Sequence, residues 1–264
     1  VLFAQRHVDL YGGSWTSQEV SLIQAITEGS ATYVQQRYWE QYLAPNGSNP
    51  AASMRRTYRD GSPMKRQARA PYYFGYRYVS HRIDSAKNLS SVYERPPKTT
   101  EELIHLRPPG SEPVAPLSVA TDDGSGWNHY LMDSPDTRGE LFLRHALQVG
   151  VNDSAAARAA AGWGNDELLT FRETLGETNG YVWVLRFDDA TNASEFRTVF
   201  ETYSSNRGER DGSVWTVGEA AGSEAAIRPV ALDDETVAVA LGPRDFVRNV
   251  TVTGGNETIH VQAP

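Results

Sequence analysis

Cysteine is absent from the 264-residue chain, which excludes disulfide bonds, thiolate zinc sites and a cysteine nucleophile. Lysine is scarce, since only Lys65, Lys87 and Lys98 occur, so arginine carries nearly all the positive charge. No stretch approaches the run of about 18 apolar residues that a membrane span requires. The formal net charge of −8 argues against a general nucleic-acid binder, because phosphate neutralisation requires a basic surface.

Sequence motifs of common catalytic sites are missing as well. There is no glycine-rich phosphate-binding loop, no G-x-S-x-G elbow and no H-E-x-x-H, and the six histidines show neither H-x-x-x-H nor H-x-H spacing. The first residues, VLFAQRHVDLYGG, are too short and too polar for a signal peptide. An export signal is therefore expected either upstream of Val1 or already removed.

Six Asn-x-Ser/Thr sequons are present in this cysteine-free chain, mostly at predicted turns or element ends. Together they favour an exported glycoprotein. The acceptor residues are Asn46, Asn88, Asn152, Asn192, Asn249 and Asn256.

The strongest predicted helix runs from Ser17 to about Leu43. Its apolar residues recur every three or four positions and form one stripe, and Thr16 or Ser17 is the expected N-cap. The predicted stripe consists of Val20, Ile23, Ile26, Val34, Tyr38 and Tyr42.

The remaining N-terminal sequence predicts two further helices and a linker. A basic, turn-rich stretch extends to about Ala70, a second helix is expected within residues 71–97, and KTTEELIHL predicts a short helix. The proline-rich stretch 107–116 reads as a linker. We therefore expect a helical domain over residues 1–107 and a second domain over residues 117–264.

The second domain is predicted to be α+β. Amphipathic helices are expected in SPDTRGELFLRHALQVG, DSAAARAAAG and NASEFRTVFETYSS. Strands are expected in ELLTFRE, YVWVLRFD, SVWTV, AIRPVAL, ETVAVALG and ETIHVQ, which are rich in β-branched and aromatic residues. A helix packed on a mostly antiparallel sheet gives the whole chain an α+β fold class.

Several blocks resemble, in collinear order, a family of exported gluzincin-like zinc metallopeptidases that includes surface proteins of haloarchaea. The blocks include QAITEGSATYV, YERPPKTTEELIH, TRGELFLRHAL and AAAGWGNDELLTFR. The resemblance implies a helical gluzincin-like N-terminal half. Gluzincins bind zinc through two histidines of an H-E-x-x-H helix and a glutamate of the next helix. Glu28 matches that third ligand, and Gly29 would let the zinc-binding helix pack closely.

The chain departs from this family pattern because it contains no H-E-x-x-H. Aligning AQRHVDL with the segment that follows the second histidine in the family puts that histidine at about Val1. Either the histidines lie upstream of Val1, or this member has lost them. With Glu28 as the sole recognisable ligand, the chain as given is expected to hold no cofactor, and zinc would bind only with an upstream H-E-x-x-H.

Structural interpretations compete with the functional ones in the first half of the chain. Glu28 could pair with an arginine such as Arg37, and His7 beside Asp9 is interpreted as a surface pair. The basic cluster at residues 54–69 is expected on a solvated loop. A helix–helix interface is favoured over a carbohydrate or peptide platform for the aromatic residues Tyr72, Tyr73, Phe74, Tyr76 and Tyr78.

The same competition arises in the second half. Trp163 is interpreted as a core residue over the sheet, and Gly162 as the C-terminal cap of the preceding helix. The role of Asp166 in the GWGND block stays open. Glu140 is expected on the exposed side of its helix rather than in a cleft.

These observations predict an extracellular or cell-surface glycoprotein with a metallopeptidase-like fold that acts in binding or surface assembly. Its partners would be other surface proteins or further copies of itself, with no nucleic acid and no membrane span in this chain. Two alternatives stay open: an active zinc metallopeptidase whose H-E-x-x-H lies upstream, and a structural subunit of a surface layer or filament.

Overall fold

A computed structural model describes residues 15–44, 46–131, 135–220, 223–255 and 258–264. The chain divides into two compact units, residues 1–113 and 114–264. The division falls inside the proline-rich stretch 107–116. None of the helices in the described ranges is long and apolar enough to cross a lipid bilayer.

The described part of the N-terminal unit is helical. Thr16 and Glu19 form a reciprocal capping box at the start of the first helix. The elements are α1 (Ser17–Tyr38), a π-helical turn (Trp39–Leu43), α2 (Pro50–Arg59), α3 (Pro63–Arg82), a 3-10 turn (Ala86–Asn88), α4 (Ser90–Glu94) and α5 (Thr100–His105).

The buried face of α1 differs from the predicted stripe. Ile26 is the only stripe residue that is buried, whereas Val34 is 44 % exposed and Tyr42 is 62 % exposed. The buried face is instead formed by Leu22, Ala25, Ile26, Gly29 and Tyr33. Small residues occupy the helix crossing, so apolar periodicity alone selected the wrong face.

Gly29 occupies the closest approach between α1 and α3. A Cβ atom added to Gly29 would lie 2.2 Å from the carbonyl carbon of Gly75, and one added to Gly75 would lie 2.0 Å from the carbonyl oxygen of Ala25. Close packing of another helix thus explains a glycine in the middle of α1. That helix is α3, whose only histidine is the exposed His81 near its C-terminus.

Residues 50–82 form two helices where the sequence predicted mostly turns. Pro50 and Pro63 occupy first-turn positions, where the fixed φ of proline suits a helix and its missing N–H is not needed. Helix α3 continues through Pro71 and ends at Arg82, so the predicted single helix over 71–97 is wrong. Pro50 and Pro63 thus begin helices in a stretch that was predicted to be rich in turns.

The C-terminal unit combines helices and strands. Its elements are β1 (Ser118–Asp122), β2 (Trp127–His129), α6 (Gly139–Leu147), α7 (Asp153–Ala160), β3 (Trp163–Glu173), β4 (Asn179–Phe187), α8 (Ala190–Arg207), β5 (Glu209–Asp211), β6 (Val214–Ala220), β7 (Ser223–Ala231), β8 (Thr236–Pro243), α9 (Arg244–Asn249), β9 (Thr251–Gly255) and β10 (Thr258–Gln262). Strands β1, β2, β5 and β9 were not predicted, because they are short and mostly lack a long apolar run.

The strands form two sheets, which confirms the predicted α+β class. The larger sheet has seven antiparallel strands in the order β2-β3-β4-β8-β7-β6-β5. The smaller sheet has the order β1-β10-β9, with β1 parallel to β10. Successive residues of the central strand β4 alternate between two cores, as the period of a pleated strand requires. Trp183 and Leu185 belong to the core beneath α6, α7 and α8, whereas Val182 and Val184 belong to the core beneath α9 and the smaller sheet.

Candidate functional site

Helix α2 contacts α3 through one buried aromatic residue, and the backbone N–H of Ala51 in α2 donates to Gln36 Oε1 of α1. Tyr58 is buried, its ring stacks on Tyr73 with centroids 4.5 Å apart, and it meets Phe74 edge-on at 5.4 Å. Because the other α2 side chains are exposed or only half-buried, a groove remains on each side of α2. These two grooves are the candidate functional site of the N-terminal unit.

The two grooves have similar linings. Groove A has a volume of about 370 Å³ and is lined by Thr32, Gln35, Pro50, Ser53, Met54, Thr57, Arg69 and Tyr72. Groove B has a volume of about 380 Å³ and is lined by Gln36, Asn49, Ala51, Ala52, Met54, Arg55, Tyr73, Tyr76 and Arg77. Each combines arginine, tyrosine and amide groups, and neither has an acidic residue among its lining side chains.

Arginine side chains are held against aromatic rings in both grooves. The guanidinium carbon of Arg69 lies 5.7 Å from the ring centre of Tyr72 in groove A. That of Arg77 lies 5.6 Å from the ring centre of Tyr73 in groove B, within the range of a cation–π contact. Within the described ranges, neither Arg69, Arg77 nor the exposed Arg55 forms an ion pair with a carboxylate. Among the described residues, these guanidinium groups therefore line the grooves without a carboxylate partner.

The grooves lie in the most basic segment of the chain. Residues 50–82 contain eight Lys and Arg residues but only one acidic residue, Asp60, in a chain whose net charge is −8. The N-terminal unit has 14 basic and 10 acidic residues, whereas the C-terminal unit has 11 and 23. The basic cluster at 54–69 was expected on a solvated loop, but it lies on α2 and α3.

The aromatic residues of α3 serve two roles. Phe74 and Tyr78 are buried in the helix packing, as the predicted helix–helix interface requires, and burial raises the pKa of Tyr78 to about 12. Tyr72, Tyr73 and Tyr76 are half-buried and line the grooves. The predicted helix–helix interface thus accounts for Phe74 and Tyr78 but not for the three tyrosines that line the grooves.

Glu28 is half-buried on α1, one turn before the groove A residue Thr32, whose hydroxyl donates to the carbonyl oxygen of Glu28. The alternative in which Glu28 pairs with Arg37 is not found, since Arg37 instead contacts Glu40 at 2.9 Å, one helical turn away. Within the described ranges, no three His, Asp or Glu residues are grouped as a metal site requires. The described donors therefore do not fit zinc, and His7 and Asp9 lie outside those ranges.

The C-terminal unit contains a buried carboxylate, Asp166, in the GWGND block. Its Oδ1 accepts from the backbone N–H of Gly139 and from Trp163 Nε1, both at 2.8 Å. Its Oδ2 accepts from the backbone N–H of Arg138 at 2.9 Å and from Trp183 Nε1 at 2.8 Å. Burial raises the pKa of Asp166, although the four donors act in the opposite direction.

Asp166 therefore caps helix α6 from a distant part of the chain and joins it to β3 and β4. Arg138, at the N-cap of α6, offers no side-chain cap of its own. Trp163 is a fully buried core residue, which confirms its interpretation. Gly162 follows α7 with φ +74°, but the C-cap of the helix is Ala161 rather than Gly162. These contacts make the cluster a structural anchor rather than a reaction site.

The expectation that Glu140 is exposed is wrong, since its side chain is fully buried. Glu140 lies in the first turn of α6, where the helix dipole stabilises a negative charge. Glu140 is buried because it lies at the buried N-terminal end of α6, although the amphipathic pattern of the helix sequence predicts an exposed position.

The sequon asparagines differ in accessibility. Asn192 is half-buried, with its Nδ2 close to Gly162, and Asn256 lies outside the described residues. Four are exposed and hence open to a glycan: Asn46, Asn88, Asn152 and Asn249.

A family model described as a domain of unknown function (DUF8575) matches residues 129–251. This segment runs from the last residue of β2 to the first residue of β9, so it includes Asp166 but neither groove. No curated protein and no solved structure matches the chain. The family match therefore bears on the C-terminal unit alone.

Proposed function

We propose that the chain is an exported, glycosylated cell-surface protein, related to gluzincin-like metallopeptidases, that works by binding or assembly rather than by hydrolysis. The observation that carries the proposal is the pair of arginine–tyrosine grooves beside α2, which lack acidic lining residues in a chain that is acidic overall. An anionic partner or an anionic cell-surface polymer would neutralise this surface.

The physical case for binding rests on charge that the fold leaves uncompensated. An exposed guanidinium group gains little from a surface ion pair in water, but several of them together attract a polyanion over the screening length of about 10 Å at 0.1 M salt. The arginine–ring contacts also reduce the number of side-chain conformations that a ligand must immobilise. These features supply both attraction and some preorganisation.

Replacing Arg55 and Arg77 with glutamine is expected to weaken binding to an acidic polymer, because two cationic contacts are lost. We expect at least a tenfold rise in Kd for poly-glutamate, measured by biolayer interferometry at 50 mM and 200 mM salt. The matched control is Arg158→Gln with Arg207→Gln, two exposed arginines of the C-terminal unit that change the net charge equally. Equal weakening by both double variants would contradict a role for the grooves.

Glycopeptides from the native protein test export independently of the grooves. We expect mass spectrometry to find glycans on the four exposed sequon residues Asn46, Asn88, Asn152 and Asn249. Asn192 should carry less, because its side-chain amide lies against Gly162. Unmodified asparagine at all four exposed positions would contradict the proposed exported glycoprotein.

The rival proposal, a zinc peptidase, has support from Glu28, whose carboxylate has no partner within the described ranges. It predicts a chelator-sensitive native protein that contains one zinc ion. Hydrolysis of casein by this chain, abolished by Glu28→Ala, would overturn the binding proposal. A third possibility, a surface-layer or filament subunit, predicts ordered homopolymers in electron micrographs.

A further inference from the structure

We propose that groove B is a binding site for a carboxylated saccharide of the uronic-acid class, whose carboxylate is held by Arg77 and Arg55. This inference rests on the proposed binding function and names the ligand chemistry of one groove. It is carried by the side chains that line the groove and by the contacts that already fix their positions.

Arg77 is the best-positioned cation of the groove. Its guanidinium carbon lies 5.6 Å from the ring centre of Tyr73 and 5.7 Å from that of Phe74, so two aromatic rings restrain its side chain. Arg55 reaches the same groove from α2 and is exposed. A planar guanidinium group presents paired N–H donors that match the two oxygens of a carboxylate.

The amide oxygens of Gln36 and Asn49 in groove B already accept hydrogen bonds from the backbone, so these two side chains offer a ligand mainly N–H donors. Gln36 is buried, its Oε1 accepts from the backbone N–H of Ala51, and its Nε2 donates to Glu40 Oε1. Asn49 Oδ1 accepts from the backbone N–H of Ala52 as the cap of α2. The Nδ2 of Asn49 has no partner within the described ranges and can donate to a ligand oxygen.

A sugar ring suits the remaining surface better than a peptide carboxylate alone. Tyr73 is stacked on Tyr58, with an interplanar angle of 10°, whereas the half-buried Tyr76 has no aromatic contact among the described residues. The ring of Tyr76 is thus available to pack against the C–H face of a pyranose. Hydroxyl groups of the sugar would meet the hydroxyls of Tyr73 and Tyr76, which accept as well as donate.

The size and repetition of the grooves agree with a saccharide polymer. The volume of about 380 Å³ lies near the lower end of the range for small-molecule sites, about 300–1,000 Å³. Groove A places a second arginine–tyrosine pair, Arg69 and Tyr72, on the other side of α2. A polymer with a carboxylate on each unit could contact both grooves and gain affinity through multivalency.

Binding of a galacturonic-acid tetramer to the full chain tests this proposal by isothermal titration calorimetry. The comparison ligands are the neutral galactose tetramer, a glutamate tetramer and inorganic phosphate. We expect at least tenfold tighter binding of the uronate than of the other three. Equal affinity for the uronate and the glutamate tetramer would overturn the saccharide assignment and leave general anion binding intact, whereas no binding of any anion would overturn both proposals.

Two single variants separate recognition of the carboxylate from recognition of the sugar ring. Arg77→Lys keeps the charge but loses the paired donors, so the Kd for the uronate should rise at least fivefold. Tyr76→Leu should weaken uronate binding at least fivefold and leave glutamate binding within twofold. Arg158→Lys, an exposed position in the C-terminal unit, is the matched control for Arg77→Lys, and thermal melts establish that each variant is folded. Unchanged uronate affinity in both groove variants would contradict the site.

Discussion

Replacing Asp166 with alanine is expected to destabilise the C-terminal unit severely. The substitution removes the acceptor of two backbone N–H groups and two indole N–H groups, and three of these four donors are buried. A buried donor without an acceptor costs about 1–3 kcal/mol, so we expect a loss of at least about 4 kcal/mol in the free energy of unfolding. Relaxation around the small alanine side chain would prevent the four costs from adding fully.

Urea unfolding, followed by tryptophan fluorescence, measures this loss directly because two indoles of the cluster donate to Asp166. The control is Glu167→Gln, a neighbouring half-buried carboxylate, for which we expect a change below about 1 kcal/mol. A loss for Asp166→Ala no larger than that of the control would mean that water or neighbouring groups satisfy the four donors. The assignment of Asp166 as the anchor of α6 would then be wrong.

The pH dependence of the same experiment tests the balance between burial and hydrogen bonding at Asp166. Burial raises the pKa of Asp166 in the folded state above its ordinary value of 3.8. At a pH between 3.8 and this raised pKa, the folded state therefore holds a proton that the unfolded state has lost. The contribution of Asp166 to stability is therefore complete below pH 3.8 and decreases as the pH rises through the folded-state pKa. Asp166→Asn removes this titration, so its destabilising effect should be largest at low pH and smaller near neutrality. A destabilising effect that grows with pH would show that the four donors outweigh burial.

Local patterns of the sequence predicted the C-terminal unit well. The strands β3, β4, β6, β7, β8 and β10 were predicted because β-branched and aromatic residues are concentrated in them. The long helix α8 was predicted from the amphipathic pattern of NASEFRTVFETYSS, and its residues Phe196, Val199, Phe200 and Tyr203 contact the core. The GWGND block was identified, but the role of Asp166 was not, because its donors come from four positions that meet only after folding.

The N-terminal unit was harder to predict because small residues and prolines determine its packing. All residues of the predicted apolar stripe except Ile26 are exposed or half-buried, and the glycine of the EGSA block lies on the buried face instead. The grooves were missed because residues 54–69 were read as a loop. A signal was nevertheless present: eight basic residues and one acidic residue within 50–82 of an acidic chain. The composition alone could not show that some of these basic residues line two grooves, because the grooves form only when α2 and α3 pack together.

Replacing Gly75 with alanine is expected to unfold or loosen the N-terminal unit while leaving the C-terminal unit intact. The added Cβ would lie 2.0 Å from the carbonyl oxygen of Ala25, and a backbone atom cannot rotate away from it. Alanine favours a helix over glycine by about 1 kcal/mol, so without this contact the substitution would stabilise α3. Overpacking commonly costs about 1–3 kcal/mol and more where backbones collide, so we expect a net loss near or above about 3 kcal/mol.

Thermal melts followed by circular dichroism at 222 nm should show this loss as an earlier helical transition in Gly75→Ala. Gly29→Ala should behave alike, because its Cβ would lie 2.2 Å from the carbonyl carbon of Gly75. The matched control is Ser30→Ala on the same buried face, whose hydroxyl has no hydrogen-bond partner within the described ranges and whose removal should be neutral or stabilising. An unchanged melt in both glycine variants would mean that α1 and α3 do not cross at these residues. In that case the two grooves beside α2, which depend on the same three-helix packing, would lose their structural basis as well.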